Sequence, residues 1–208
     1  MAQHRIRFRF RKQGDLRLIG HRDLIRTLER LFRRAGLELA MSEGFHPKPR
    51  ISFPSALPLG CEGVDEVVEL QLVEARRPDD VLAAIGPQCP DGLSFVSAEV
   101  VAPGMGKKAV ERVVLTVPVP ANRQIGLEEK IQQWLARTSH LVTRAGRKAP
   151  VDIRPYVETL ELDDGALRMV LRVTPTGSVR PRELLDVLGL AELEGEGHFL
   201  TRASVELH

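Results

Sequence analysis

Residues 5–11 alternate strictly between arginine and apolar side chains, and this pattern restricts the beginning of the chain to a β-strand. The apolar positions are Ile6, Phe8 and Phe10, and the arginines are Arg5, Arg7, Arg9 and Arg11. Successive strand side chains point to opposite faces, so the apolar residues face a core and the arginines face away from it. The arginine side is a solvated surface, a surface neutralised by carboxylates, or a site for an anionic partner.

The segment after this strand, residues 21–35, has the periodicity of an amphipathic helix. At about 100° per residue, the leucines and Phe32 lie on one side. Gly36 follows as a typical residue after a helix end. The opposite side carries Arg22, Arg26, Arg30, Arg33 and Arg34. The helix is therefore predicted to have one apolar face and one arginine face.

The order of predicted elements in the first half is β-α-β-β-α-β. Residues 14–18 continue or close the first strand. Within 37–53 only 37–41 and 50–53 can be short strands, with a proline-rich loop between them, and the segment counts as one interrupted strand. The strands are 4–12, 37–53, 64–74 and 92–101, and the helices are 21–35 and 78–86. This order predicts a ferredoxin-like unit, with both helices on one face of an antiparallel sheet.

The second half repeats this order with extra strand length. Residues 163–165, Asp-Asp-Gly, indicate a hairpin turn. The strands are 111–119, 139–144, 151–162, 166–174 and 199–207, and the helices are 127–138 and 180–189. We predict an α+β protein of two tandem ferredoxin-like units, residues 1–102 and 109–208, joined by a linker over 103–108.

Charge is distributed unevenly along the chain, although the net charge is only +2. Residues 1–60 hold thirteen Lys and Arg against five Asp and Glu, whereas residues 61–208 hold seventeen against twenty-three. Such asymmetry indicates a localised anionic partner or mutual neutralisation of the two parts. Aromatic residues make up only 4% of the chain, so few stacking sites for bases are expected.

Familiar catalytic and cofactor motifs are absent from the sequence. There is no GxxxxGK[ST], no GxGxxG between a strand and a helix, and no HExxH. The six histidines and the two cysteines, Cys61 and Cys89, show no metal-ligand spacing, so we expect no metal and no cofactor. No signal peptide or membrane-length apolar run is visible, which favours a soluble cytoplasmic protein.

Two further groups of residues are candidates for function. His21 begins the first helix, where it is either a general acid–base or phosphate-binding residue, or an ordinary first-turn residue. Asp23 is better explained as a carboxylate near free backbone N–H groups, with Gly20 as N-cap. The loop 44–50 is either a rigid connection or a stiff arm that presents His46, Lys48 and Arg50 to phosphate.

The uncovered face of the predicted first sheet has two competing interpretations. RNA-recognition domains bind single strands on this face, and the arginines would serve that purpose here. Alternatively, Glu69 and Gln71 on the neighbouring strand, with Glu66, engage some of the arginines in cross-strand pairs. The acidic second half is a further source of neutralising carboxylates.

Several motifs resemble the bacterial radical-SAM-linked family, a domain of unknown function. They are GDLRLIGHRDLIRTLERLFRRAGLELAMSEGFHPKPRISFPSALPLG, VDIRPYV and SVRPRELLDVLG, and together they span most of the chain. The sequence departs from the family pattern at Gly20, where Ser is usual, and at His46, where Asn is common. In this family the domain is fused to a cobalamin-binding-type radical SAM protein or lies beside it, so the resemblance implies a separate radical SAM partner.

These observations lead to three hypotheses. The chain has no CxxxCxxC and holds no cluster of its own, so the first is a non-catalytic accessory module that binds RNA. The second is an adaptor that docks an acidic patch of the radical SAM partner. The third is a cryptic RNA-processing or RNA-modifying enzyme with His21 as its residue to test. The expected nucleic-acid contacts are Arg5, Arg7, Arg9, Arg11, Arg22, Arg26, Arg30, Arg33, His46, Lys48 and Arg50.

Overall fold

The computed structural model describes residues 4–106 and 108–208, and the chain divides into two compact units. Unit 1 is Met1–Ala109 and unit 2 is Val110–His208. Each unit combines helices with an antiparallel sheet, so the α+β class is confirmed. The predicted linker, 103–108, includes Lys107, which lies outside the described residues.

Unit 1 has the element order predicted from the sequence, and its sheet places the first strand in the interior. The elements are β1 (His4–Lys12), α1 (His21–Arg34), β2 (Ile51–Ser52), β3 (Glu62–Leu72), α2 (Pro78–Ile85) and β4 (Leu93–Val101). The strands are ordered β4-β1-β3-β2, and each neighbouring pair is antiparallel. β1 therefore has hydrogen-bonded neighbours on both sides.

The core of unit 1 lies between the apolar side of β1 and the two helices. Phe8 and Phe32 bring their ring centroids to 6.2 Å. Burying a side chain of this size contributes about 1.5–3 kcal/mol to folding. The prediction that the apolar residues of β1 face the helices is confirmed by the buried cluster of Ile6, Phe8, Phe10, Leu24, Leu28, Leu31, Phe32, Val81 and Ile85.

The structure decides two predictions in unit 1 that the sequence left open or approximate. β1 ends at Lys12, so residues 14–18 close it rather than continue it: they form a 3₁₀ helix, and Gly14 adopts a positive φ of 59° at its start. Of the two short strands expected within 37–53, the second is confirmed as Ile51–Ser52, whereas residues 37–41 form only isolated bridges at Leu39 and Met41. The prolines in this segment lack the N–H that a continuous ladder requires.

A buried lysine connects the end of β1 to the segment that precedes α1. Lys12 is 2% exposed, and its ammonium group donates to the carbonyls of Ile19 (3.1 Å) and Arg17 (3.4 Å). Burial lowers the pKa of Lys12, against the opposing influence of Cys61 and Glu66. These hydrogen bonds tie the end of β1 to the residues immediately before α1, so the orientation of that helix depends on them.

The strands of unit 2 form two sets, one of five antiparallel strands and a separate one of two. Its strands are β5 (Val110–Pro118), β6 (Leu141–Val142), β7 (Val151–Asp152), β8 (Val157–Asp163), β9 (Ala166–Thr174), β10 (Gly177–Ser178) and β11 (Thr201–Leu207). Its helices are α3 (Ala121–Gln124), α4 (Leu127–Leu135) and α5 (Pro181–Leu188). The larger sheet has the order β8-β9-β5-β11, β10 folds back on β9, and β6 pairs with β7.

The predicted strand 151–162 is broken near its beginning. The Asp152 carboxylate accepts the backbone N–H of His140 (2.8 Å) and of Arg154 (3.1 Å), and a 3₁₀ helix, Arg154–Tyr156, follows. The hydrogen bond from His140 holds the pKa of Asp152 below its usual range. By contrast, the predicted hairpin is confirmed, with positive φ at Asp164 and Gly165 between β8 and β9.

Across residues 4–106 and 108–208, every helix is too short or too polar to cross a membrane.

Candidate nucleic-acid interface

The centre of the β1 arginine row is a buried charge cluster. Arg7 lies directly opposite Glu69 on β3 and opposite Glu99 on β4. Its guanidinium donates to Glu69 Oε1 at 2.7 and 2.9 Å and to Glu99 Oε1 at 2.8 Å. Arg7 is only 7% exposed and Glu69 only 4%. The charge of Arg7 is therefore neutralised within unit 1, and phosphate has no access to it.

The arginines on either side of Arg7 are also held by groups of unit 1. Arg5 lies 3.7 Å from the Glu69 carboxylate and donates to the carbonyl of Met105. Arg9 donates to Asp65 Oδ2 at 2.9 Å. Carboxylates of the same sheet therefore pair with Arg5, Arg7 and Arg9. Phosphate contacts at these three residues stay a prediction, which this pairing disfavours. Arg11 is exposed at the end of the row.

The arginine face of α1 has a different environment. We define this face as Arg22, Arg26, Arg30 and Arg33, all exposed, on the side opposite the buried leucines. Arg26 pairs with Asp23 at 3.3 Å, and both side chains remain more than half exposed. Within the described ranges, no ion pair or hydrogen bond engages the guanidinium groups of the other three. Exposed pairs such as Arg26–Asp23 contribute little to stability, so the face retains most of its charge.

An open groove of about 540 Å³ runs beside this face. Arg26, Arg30 and Arg33 form one side of it, together with Glu29. Its other lining residues come from the segment after α1, namely Leu37, Glu38, Leu39, Met41 and Pro49. The groove therefore combines three guanidinium groups and two carboxylates with apolar side chains, and all its lining residues belong to unit 1.

Residues 42–48, which we term the arm, project from the base of this groove. Backbone and side-chain hydrogen bonds close the arm between Ser42 and Lys48, at 2.8 and 2.9 Å. Its tip carries Phe45, whose side chain is fully exposed, and His46 beside it. Arg50 is half-buried, and its guanidinium donates to the Met41 carbonyl at 3.1 Å. This hydrogen bond joins the two ends of the arm.

Phe45 is the residue that the sequence argument missed. The low aromatic content directed attention away from stacking, although a phenylalanine between Gly44 and the prolines of a loop has no core to enter. Loop residues flanked by glycine and proline lie at the surface, where binding residues concentrate. The position of Phe45 between a glycine and prolines is therefore the sequence feature that indicates its exposure.

His21 is exposed at the start of α1, with its ring in an edge contact with Phe53 at 5.0 Å between centroids. Within residues 4–106 and 108–208, no carboxylate hydrogen-bonds to His21 in the manner of an oriented general base. Gly20 is the N-cap residue, as predicted, and the Asp23 carboxylate pairs with Arg26. Likewise, the described residues contain no group of three or more His, Cys, Asp or Glu suited to a metal ion.

Comparisons with known proteins give a family but no activity. No curated protein matches the sequence. The solved structure of an unknown protein from Galdieria sulphuraria aligns over 100% of this chain and 99% of its own, at 9% identity and a TM-score of 0.30. That score is too low to carry an argument about fold.

A family model described as an uncharacterized protein conserved in bacteria, DUF2344, matches residues 5–181. The match includes β1 from its second residue, all of α1 and the arm, and it extends into unit 2 as far as the first residue of α5. The chain therefore belongs to this bacterial family of domains of unknown function.

Proposed function

We propose that the protein is a non-catalytic accessory module of a radical SAM enzyme and that it binds RNA through the arginine face of α1. The observation that carries the proposal is the contrast in exposure between this face and β1. The guanidinium groups of Arg22, Arg30 and Arg33 are exposed and have no partner among the described residues, whereas Arg7 is buried against carboxylates.

Guanidinium groups suit this role because they donate paired hydrogen bonds to phosphate and remain charged at all physiological pH values. Arg22, Arg26 and Arg30 are spaced four residues apart. At about 1.5 Å rise per residue they cover about 12 Å, the length of three or four stacked nucleotides at about 3.4 Å each. The exposed Arg11 and Lys48 are additional cations of unit 1, and the exposed His46 is a further hydrogen-bonding side chain of the arm.

The radical SAM association rests on the resemblance of the motifs around α1, Val151–Val157 and α5 to the radical-SAM-linked family. The two cysteines cannot supply a radical SAM cluster, so the enzyme would be a separate chain. We also retain the tandem ferredoxin-like architecture as part of the proposal. In its favour, the first strand of each unit lies between two others in an antiparallel sheet, as a βαββαβ arrangement requires.

The test is a salt titration of RNA binding with the full chain. Fluorescence anisotropy of a labelled single-stranded RNA should show affinity falling steeply between about 50 and 200 mM salt. The double variant Arg22→Glu/Arg30→Glu should weaken binding at least ten-fold. Its matched control is Arg147→Glu/Lys148→Glu, which makes the same charge change at exposed positions of unit 2. Undetectable binding at low salt, or equal loss in both doubles, would refute the proposal.

A second candidate function is an adaptor that docks an acidic surface of the radical SAM enzyme. The apolar residues that line the groove beside α1, Leu37, Leu39, Met41 and Pro49, favour it, because protein interfaces bury apolar contacts among charges. Co-purification with the enzyme that survives nuclease treatment and is lost in Arg22→Glu/Arg26→Glu would support the adaptor. Co-purification that nuclease abolishes would instead support RNA binding.

A further inference from the structure

The full exposure of Phe45 is not explained by the fold of unit 1. Phe8, Phe10 and Phe32 are buried, and Phe53 and Phe95 pack against this core. Single exposed apolar residues are common and by themselves indicate nothing. Phe45 differs because it stands at the tip of an arm whose base is closed by hydrogen bonds, with the exposed Lys48 three residues away.

The arm is organised to present its tip at low entropic cost. Hydrogen bonds between Ser42 and Lys48, and between Arg50 N and the Ala40 carbonyl (2.8 Å), close its base. Pro47 and Pro49 restrict the backbone on the side that returns to the sheet. A loop ordered before binding has less conformational freedom to lose when a ligand arrives.

The charges around the tip favour an anionic ligand. His46 and Lys48 are exposed, and the single carboxylate of the arm, on Glu43, lies 3.7 Å from the guanidinium of Arg50. Met41 and Pro49, at the base of the arm, also line the groove that contains Arg26, Arg30 and Arg33. Glu29 and Glu38 also line this groove, so three guanidinium groups stand with two carboxylates. Unit 1 thus presents an exposed aromatic ring on a loop whose base lines an arginine-containing groove, and aromatic rings beside cations are typical of single-stranded nucleic-acid binding.

We propose that Phe45 stacks on an unpaired base of the RNA whose phosphates bind the arginine face of α1. This inference rests on the proposed function and names its substrate class, a single strand rather than a duplex. Stacking needs an accessible base face, which a paired helix does not offer, and it is tolerant of sequence because every base has one. Lys48 supplies a phosphate contact beside the stacked base.

The first experiment compares variants of the full chain in RNA binding. Phe45→Leu should lower the affinity for a single-stranded oligoribonucleotide about five-fold or more, as expected for loss of one stacked base. It should leave the affinity for duplex RNA, and for the same strand made abasic, unchanged. Ile125→Ala, which removes an equally exposed apolar side chain in unit 2, is the matched control and should have no effect.

The second experiment uses Phe45→Trp as a reporter that preserves stacking. The natural Trp134 is buried, so an added exposed indole gives a separate fluorescence signal. Quenching of that signal by the single strand, but not by the abasic strand, supports the inference. If the wild type binds RNA and Phe45→Leu binds equally well, the inference is overturned and the proposed function stands.

Absence of RNA binding in the wild type at low salt overturns the proposed function itself, so the two failures are distinguishable. If Phe45→Leu instead abolishes nuclease-resistant binding to the radical SAM enzyme and leaves RNA binding intact, Phe45 docks a protein. That result also overturns the inference.

Discussion

Two sets of arginines in unit 1 share a residue type and regular spacing but have opposite environments. On β1, Arg7 stands opposite Glu69 and Glu99, one from each neighbouring strand. On α1, Arg22, Arg30 and Arg33 face solvent, with no partner among the described residues. A strand inside a sheet has neighbours on both sides at about 5 Å, whereas the outer face of a helix has none.

Regularly spaced arginines therefore predict which face of an element carries positive charge, but not which group pairs with it. In a sheet, the pairing group depends on which residues the register places opposite each arginine. On β1 they are carboxylates, so the arginines stabilise the sheet; on α1 the position is open to a ligand.

Substitution of Arg7 in its buried charge cluster should have a greater consequence than any other change proposed below, namely a loss of stability. Arg7→Met should lower the free energy of unfolding by about 3 kcal/mol, because it leaves the Glu69 carboxylate buried with only Arg5 nearby. Arg30→Met, the matched change on α1, should alter it by less than about 0.5 kcal/mol. Urea denaturation measures both.

A double variant separates loss of an ion pair from poor packing. Arg7→Met/Glu69→Met removes both buried charges and should recover most of the stability lost in the single variant. If Arg7→Met costs no more than Arg30→Met, the two sets of arginines do not differ in the way the structure indicates.

A buried arginine of unit 2 allows a second test of how a buried ion pair contributes to stability. Arg144 is buried and donates to both carboxylate oxygens of Glu183 at 2.7 Å. Burial raises the pKa of Glu183, but the hydrogen bonds from Arg144 and from the backbone N–H of Arg180 outweigh it, and the pKa is lowered. A lowered folded pKa stabilises the protein above the unfolded value of about 4.3, and this contribution is lost as pH falls through the folded pKa.

Glu183→Gln should therefore reduce the free energy of unfolding by about 2 kcal/mol at pH 7, the loss of a charge-assisted hydrogen-bonded pair. The difference from wild type should shrink as the pH falls from about 4 to 3. Glu192→Gln, at an exposed carboxylate of the same unit, is the control. A difference that persists unchanged at pH 3 would show that the carboxylate charge is not responsible.

The regular elements of the fold were predictable because each rests on many residues. β1, α1, β3, β9 and α5 all carry repeated apolar positions, and an error at one position does not change the pattern. The unbroken strand predicted over 151–162 was wrong, and the strand predicted at 37–41 is reduced to isolated bridges, because single groups decide these segments. Asp152, for example, binds two backbone N–H groups and ends a strand that its neighbours' β-propensity would have continued.

The candidate site was predictable only in part, for a related reason. Glu69 was expected as a partner of the arginines, since β3 should lie beside β1. Glu99 was not, because its position opposite Arg7 depends on the register between β1 and β4, which also contains a shift between Arg9 and Phe10. The exposure of Phe45 likewise depends on the closed base of the arm, and no periodic pattern records that closure.

The arginines of α1 and those of β1 should also differ in their effect on the salt dependence of RNA binding. Arg22→Gln/Arg30→Gln should reduce the slope of log affinity against log salt by about 1.4 for single-stranded RNA, about 0.7 for each lost phosphate contact. Arg5→Gln/Arg9→Gln should leave this slope unchanged and lower the unfolding free energy instead, since those charges are already paired. A slope reduced equally by both doubles would contradict the distinction.

The smallest effect concerns Asp23, whose carboxylate holds Arg26 at 3.3 Å on the otherwise open face. Asp23→Asn should cost at most about 0.5 kcal/mol of stability, because the pair is exposed and the interaction with the helix N-terminus is modest. It should raise RNA affinity by about two- to three-fold, since Arg26 is released. Asp79→Asn, in the first turn of α2, repeats the loss at a helix N-terminus without an adjacent arginine face and should leave affinity unchanged. If the two variants shift affinity equally, the carboxylate acts through net charge alone, and the arginine face of α1 is not where RNA binds.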